Sequence, residues 1–177
     1  MMRLREAGPD DAEAVAVLHA DSWRRHYRGA YADAFLDGDV AADRRSVWSA
    51  RLASPDGTAT VVAEADGAIL GFVHVVFDAD ERWGSLVDNL HVTHDRQRGG
   101  IGTTLMRRAA DAVGGRAMYL WVLEQNTAAQ RFYRALGGTP VEKRVVPPPG
   151  GVPGRLNGSP RCLRFSWRDG AWPDGVS

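Results

Sequence analysis

The 177-residue sequence predicts one domain of α/β (α+β) class, a mixed sheet with helices on both faces. Three observations lead there. Apolar residues recur at helical spacing in the amino third, two strand-like runs flank Asp66-Gly67, whose residue types suit a hairpin turn, and Ser85 to Leu123 reads strand, glycine-rich helix, strand. The hairpin implies antiparallel pairing, and the strand–helix–strand unit implies a parallel pair joined by a right-handed crossover.

The elements follow in order. A short strand-like start ends at Leu4. Asp10 and Glu13 have capping-box spacing ahead of Ala14, Val15, Val17 and Leu18, so a first helix is expected from there to about Arg28, where Gly29 interrupts it. Tyr31 to Leu36 forms a further turn, and Asp39 to Leu52 a helix that buries Val47, Trp48 and Leu52 on one face. Thr60 to Glu64 and Ile69 to Phe77 are strands, and Asp66-Gly67 suits the tight turn between them. Ser85 to Val92 is a third strand, and Ile101, Leu105, Ala109 and Val113 mark the helix that ends at Gly114-Gly115. Ala117 to Leu123 returns as strand, followed by a short helix with Ala129, Phe132, Tyr133 and Leu136 on one stripe. Val141 to Val146 and Cys162 to Trp167 are the last strands. Between them Pro147 to Gly154 is too rich in proline and glycine for regular structure and reads as a surface loop or a lid. The tail from Asp169 or Gly170 to Ser177 is expected to fray.

Composition excludes several functions. Lys+Arg and Asp+Glu number 22 each, so no global field draws nucleic acid or an anionic membrane, and any anion site must be built locally. Cys162 is the only cysteine, which excludes an internal disulfide framework and C-x-x-C metal or redox motifs and fits a reducing cytoplasm. The amino end lacks an apolar signal core, and no run approaches the roughly 20 apolar residues of a membrane helix. A cytoplasmic protein without metal, nucleic-acid or membrane partner is expected.

The most informative stretch is Leu90 to Leu105, where a strand, a basic turn with Arg96 and Arg98, and Gly99-Gly100-Ile101-Gly102 lead into a helix. Unpaired N–H groups and the helix dipole make such a start a phosphate cradle, and glycines let the anion approach the backbone. The alternative is a plain tight turn. A dinucleotide fingerprint and a P-loop are both absent.

Together with Leu120 to Gly138, this segment resembles the GNAT-type N-acetyltransferases. Gln97, Gly100 and Gly102 meet the pattern Q/R-x-x-G-x-G/A, and Asn126, Ala129, Phe132 and Tyr133 meet N-x-x-A-x-x-F-Y. The resemblance is firm from about Ser85 to Gly138 and weakens in the amino third. It implies a mostly antiparallel sheet that splays between its parallel strands, Ser85–Val92 and Ala117–Leu123, with the pantetheine arm of acetyl-CoA in the wedge. Backbone groups of Leu90, His91 and Val92 would pair with pantetheine. Gln97 belongs to the same turn, and amides of Arg98, Gly99, Gly100, Ile101, Gly102 and Thr103 would hold the pyrophosphate. Asn126 would reach the coenzyme or simply cap its helix, and Tyr133 would donate a proton to the departing thiolate or simply pack beside Phe132.

The implied reaction is direct attack of a neutral amine on the acetyl carbonyl in a ternary complex, which leaves Cys162 a core cysteine. An amine of free pKa about 10.4 needs a proton acceptor. Asp88 is the first candidate, expected by alternation on the side of Leu86, Leu90 and Val92 with His91 opposite; His91 and Glu124 are weaker alternatives, and His74 reads as hydrogen-bonded. Trp23, Tyr27 and Tyr31 line the acceptor pocket or pack the helices, with Pro147–Gly154 facing them. The acceptor is a small-molecule amine or a peptide, and a non-catalytic acyl-CoA sensor is the rival reading. Many relatives dimerise, which leaves a homodimer open, although no interface pattern is visible.

Overall fold

The structure, a computed structural model described for residues 1–172, begins with β1 (Arg3–Glu6), α1 (Ala12–His26), α2 (Asp33–Asp37) and α3 (Val40–Ala53). It continues through β2 (Thr58–Ala65), β3 (Ala68–Asp80), β4 (Gly84–Val92), α4 (Ile101–Ala112), β5 (Met118–Leu123), α5 (Thr127–Ala135), β6 (Thr139–Val145) and β7 (Arg161–Trp167). The seven strands form one sheet in the order β1-β2-β3-β4-β5-β7-β6. All neighbours are antiparallel except β4 and β5.

Helices cover both faces. On one, α1 and α3 press Val15, Leu18, Trp48 and Leu52 onto Val62 and Phe72. On the other, Leu105 and Met106 of α4 and Tyr133 of α5 pack with Val73, Val75, Met118 and Phe165. A third cluster, at the α2 corner, joins Trp23, Tyr31 and Leu36 to Leu123 and Cys162, so the lone thiol is core material.

The local chemistry explains most boundaries. Asp66 and Gly67 both have positive φ, 51° and 77°, as a two-residue hairpin turn of primed type requires. The expected side-chain cap of α1 is not formed: Asp11, and not Asp10, precedes the helix, its carboxylate accepts the Gly8 N–H at 2.8 Å in the 3₁₀ turn Pro9–Asp11 while pairing with Arg5, and Glu13 pairs with Arg45 of α3.

Of the two irregular segments, one is the expected loop, though fastened down, and the other corrects the expectation of a frayed tail. Pro147 to Gly154 holds short 3₁₀ turns at Pro149–Gly151 and Pro153–Arg155, and the segment is a strap fastened to the α2–α3 corner. Arg155 pairs with Asp43 at 2.7 Å and accepts the Ala32 N–H at 2.9 Å through its carbonyl. The tail is anchored at least to Trp172: Asp169 accepts the Ala117 N–H at 2.7 Å, Gly170 N–H donates to the Gly115 carbonyl at 2.8 Å, and Trp172 packs near Trp167. Residues 173–177 of the expected frayed tail lie outside the described residues. Among the described residues no helix is long and apolar enough to cross a membrane.

Candidate active site

The parallel strands β4 and β5 pair only at Ser85↔Met118 and Leu86↔Tyr119. Beyond these pairs the strands part. Gly84, at φ 82°, permits the close approach where they meet, since a Cβ there would lie 2.1 Å from the Ala117 carbonyl oxygen. The outer edge of β4 is bonded to β3 and that of β5 to β7, so the two inner edges carry backbone groups without a strand partner. Between them opens a cleft of about 480 Å³, walled by Val87 to Val92 on one side and Leu120 to Leu123 on the other, with the starts of α4 and α5 at its mouth. An extended molecule bearing amide groups matches such edges.

At the mouth the chain turns through Arg98 (φ 65°) and Gly100 (φ 80°) into α4. The first helical amide to find a carbonyl is that of Thr104, bonded to Gly100 at 3.0 Å; among the described residues the N–H groups from Arg98 to Thr103 donate to no protein acceptor. Six N–H groups without a protein acceptor, at the positive end of a helix dipole, suit a diphosphate. Arg96 and Arg98 border the cleft, and at Gly102 a Cβ would stand 3.3 Å from the Phe132 ring, filling the cradle. Gly99 and the Ile101 side chain stand off the wall, the latter buried under α4. Gln97 braces the turn: its amide donates to the Val92 carbonyl at 3.4 Å and lies 3.3 Å from His26 Nε2.

Deeper in, Tyr133 of α5 lines the cleft with its ring against Phe132, Phe165 and Trp167. Burial pushes its phenol well above the ordinary range, so the proton stays on. Asn126 lines the wall and caps α5, its side-chain oxygen accepting the Ala129 N–H at 3.1 Å.

Asp88 reaches the cleft from an unexpected side. The β3–β4 register runs His74↔Asn89 and then Val75↔Val87, which leaves Asp88 as the extra residue of a bulge. Alternation is therefore reset. Asp88 shares a side with Asn89 and His91 toward α1 and α3, while Leu90 and Val92 pack with the core under α4, contrary to the expected grouping. Arg51 of α3 holds both neighbours, its guanidinium 3.0 Å from the Asp88 carboxylate and 2.9 Å from the Asn89 oxygen.

His91 lines the cleft but is committed: Nδ1 lies 2.7 Å from Ser22 Oγ, and the ring packs at a tilt against His19, centroids 4.5 Å apart. Burial lowers its pKa to about 3, so it is a neutral hydrogen-bonding group at neutral pH. His74 is hydrogen-bonded to Thr60 at 2.7 Å, as expected. Glu124 turns away to Lys143.

Of the three aromatic candidates only Tyr27 reaches the wall. Trp23 and Tyr31, 6% and 7% exposed, stand behind it, Trp23 stacking on Tyr27 at 5.5 Å. Residues 147–154 do not line the cleft. Two α1 residues that no motif marks, Ser22 and His26, do. They lie four apart, one helical turn, beside Trp23 and Tyr27, and that spacing is the signal that could have found them.

Residues 15–137 match the acetyltransferase (GNAT) family. The uncharacterized N-acetyltransferase YuaI of Bacillus subtilis is 28% identical over 140 residues, which span 76% of this chain and 79% of that protein. The probable N-acetyltransferase Rv2775 of Mycobacterium tuberculosis is 30% identical over 134 residues, 75% of this chain and 76% of that one. In fold, the PaiA N-acetyltransferase of Thermoplasma acidophilum, solved with coenzyme A, superposes with a TM-score of 0.70 over 94% of this chain and 99% of that chain at 19% identity. YncA of Salmonella typhimurium, solved with acetyl-CoA, does so with 0.66 over 99% of both at 23% identity.

Proposed function

The chain belongs to the GNAT acetyltransferase family, and from that premise we propose that it moves an acetyl group from acetyl-CoA to a primary amine by direct attack within a ternary complex. The observation that supports this most is the two-pair contact of β4 and β5, which opens toward six unpaired amides at the start of α4. A diphosphate fits those amides, and Gly102 keeps its approach clear. The thioester of acetyl-CoA supplies the activated acyl group.

The chain's own groups divide the remaining work. N–H donors from Arg98 to Thr103 hold the diphosphate, and the free inner edges of β4 and β5 bind the amide-bearing arm. Tyr133 keeps its proton because burial raises its pKa, and it faces a thiol of free pKa about 8.5. Full transfer of that proton is uphill, so the phenol acts as hydrogen-bond donor to the sulfur as charge develops there. Asp88, half-buried at the cleft, accepts the amine proton directly or through water. His91, neutral and tied to Ser22, orients the wall.

The test is a thiol-release assay with acetyl-CoA against amines, amino acids and short peptides. Tyr133→Phe is expected to lower kcat by about 10²-fold or more with coenzyme affinity preserved. Unchanged turnover would remove Tyr133 from the chemistry. Coenzyme binding without turnover of any acceptor would favour an acyl-CoA sensor.

A further inference from the structure

Among the described residues Arg144, which packs on the cleft residue Trp121, has no carboxylate counter-ion. Cross-strand partners share a sheet face, and the registers Trp121↔Arg164, Cys162↔Leu123 and Cys162↔Arg144 put Trp121, Leu123, Arg164 and Arg144 on the same one. Trp121 and Leu123 line the cleft. The Arg144 guanidinium carbon lies 3.9 Å from the Trp121 ring centroid, and that of Arg164 lies at 4.5 Å.

The two arginines differ in what surrounds them. Arg164, its side chain 10% exposed, is neutralised by Glu142 at 3.0 Å and Asp80 at 3.4 Å. Arg144 is exposed and, among the described residues, has no carboxylate within 4.0 Å. The indole holds the guanidinium in place, and beyond the N–H that meets the Cys162 thiol its donors stay available to an anion.

Resting on the transferase reading above, we propose that the acceptor is a free α-amino acid, or a compound with the same zwitterionic head, whose carboxylate docks on Arg144 over the Trp121 face. Arg144 lies two strands from Leu123, about 10 Å in the sheet, and its side chain spans much of that distance back toward the cleft. At the other end stand Asp88, Tyr27 and Tyr133, where the amine must lose its proton and meet the thioester. A fixed cation, an aromatic floor and a carboxylate in sequence complement a ligand with charges of the opposite order. A diamine would set its second cation against Arg144.

The experiment compares amino acids with their C-terminal amides as acceptors, for the wild type and for Arg144→Gln and Arg144→Lys. The wild type is expected to favour the free acid by at least about tenfold in kcat/KM, through KM. Arg144→Gln should bring that ratio close to one with the KM for acetyl-CoA unchanged, and Arg144→Lys should restore part of it. Equal use of acid and amide by the wild type, an equal loss on both in Arg144→Gln, or preference for amidated peptides or diamines overturns the proposal. Calorimetry with N-acetylated amino acids on the coenzyme A-saturated protein reads the carboxylate site without turnover. Binding that Arg144→Gln weakens tenfold, with no acetyl transfer to any acceptor, would keep the carboxylate site and overturn the transferase reading. Absence of both would overturn both.

Discussion

Lowering the pH should unfold this protein well above the range where carboxylates titrate. His19, His74 and His91 are buried, 0%, 1% and 9% exposed, and each has its pKa lowered by burial, to about 4 for His74 and about 3 for His91. In the unfolded chain each would titrate near 6.5. Below that value the unfolded state binds protons that the fold refuses, so stability falls as pH drops, until the folded values are reached. Between pH 7.5 and 5.0 each ring costs about 2 kcal/mol, and the three together about 6 kcal/mol, comparable to the whole stability of many domains. Urea unfolding followed by circular dichroism at half-unit pH steps measures this directly. The expected slope between pH 6.0 and 5.0 approaches three protons, about 4 kcal/mol per unit, and His74→Gln should lower it by about one third. A slope equivalent to fewer than one proton would refute the reasoning, because the rings would then be charging inside the fold.

Two further outcomes test the cleft. Gly84→Ala combines a left-handed backbone costing about 1–2 kcal/mol with a Cβ pressed 2.1 Å from the Ala117 carbonyl, so urea unfolding should show a loss of roughly 2–5 kcal/mol together with weaker coenzyme A binding; a loss below about 1 kcal/mol would show that the strand contact tolerates displacement. Asn126→Ala should cost about 1 kcal/mol of stability through its lost cap, whereas Asn126→Asp should keep the cap; if calorimetry shows coenzyme A affinity weakened in the aspartate variant too, the Asn126 amide contacts the coenzyme, and if affinity is retained the residue is a cap alone.

The sequence was most legible where a structural feature has a local cause. The hairpin at Asp66-Gly67, the glycine-rich entry to α4 and the stripe on α5 each follow from residue types within one turn or strand, and each lies close to where it was expected. The side of Asp88 did not follow, because one inserted residue shifts a period-two pattern to the other face. Its trace is the polar pair Asp88-Asn89 in a strand that otherwise alternates. The placement of β7 between β5 and β6 is a long-range pairing that no local pattern announces. Proline and glycine in 147–154 announced a loop but not its anchor, since Arg155 finds Asp43 across 112 positions. Trp23 and Tyr31 illustrate a similar limit: aromatic spacing identifies a helix-packing cluster, and only the third dimension separates the ring that reaches a cleft from those behind it.

What keeps the cleft open is the same set of contacts that defeated the alternation rule. Zipping β4 and β5 shut would add a handful of backbone hydrogen bonds, each worth about 1 kcal/mol net. Against that, Arg51 draws Asp88 and Asn89 toward α3, and Ser22 ties His91 to α1, so moving β4 would strand a buried imidazole and break an ion pair. On the far side β7 holds all six residues of β5 in register from Met118 to Leu123. Each strand is thus committed outward and the inner edges cannot meet without breaking contacts worth as much or more, because an unsatisfied buried polar group alone costs about 1–3 kcal/mol. It follows that α1 and α3 shape the coenzyme cleft as well as the acceptor side. Arg51→Ala, though it removes no group from the mouth of α4, should therefore weaken coenzyme A binding in calorimetry, and unchanged affinity would show that the bulge alone holds the strands apart.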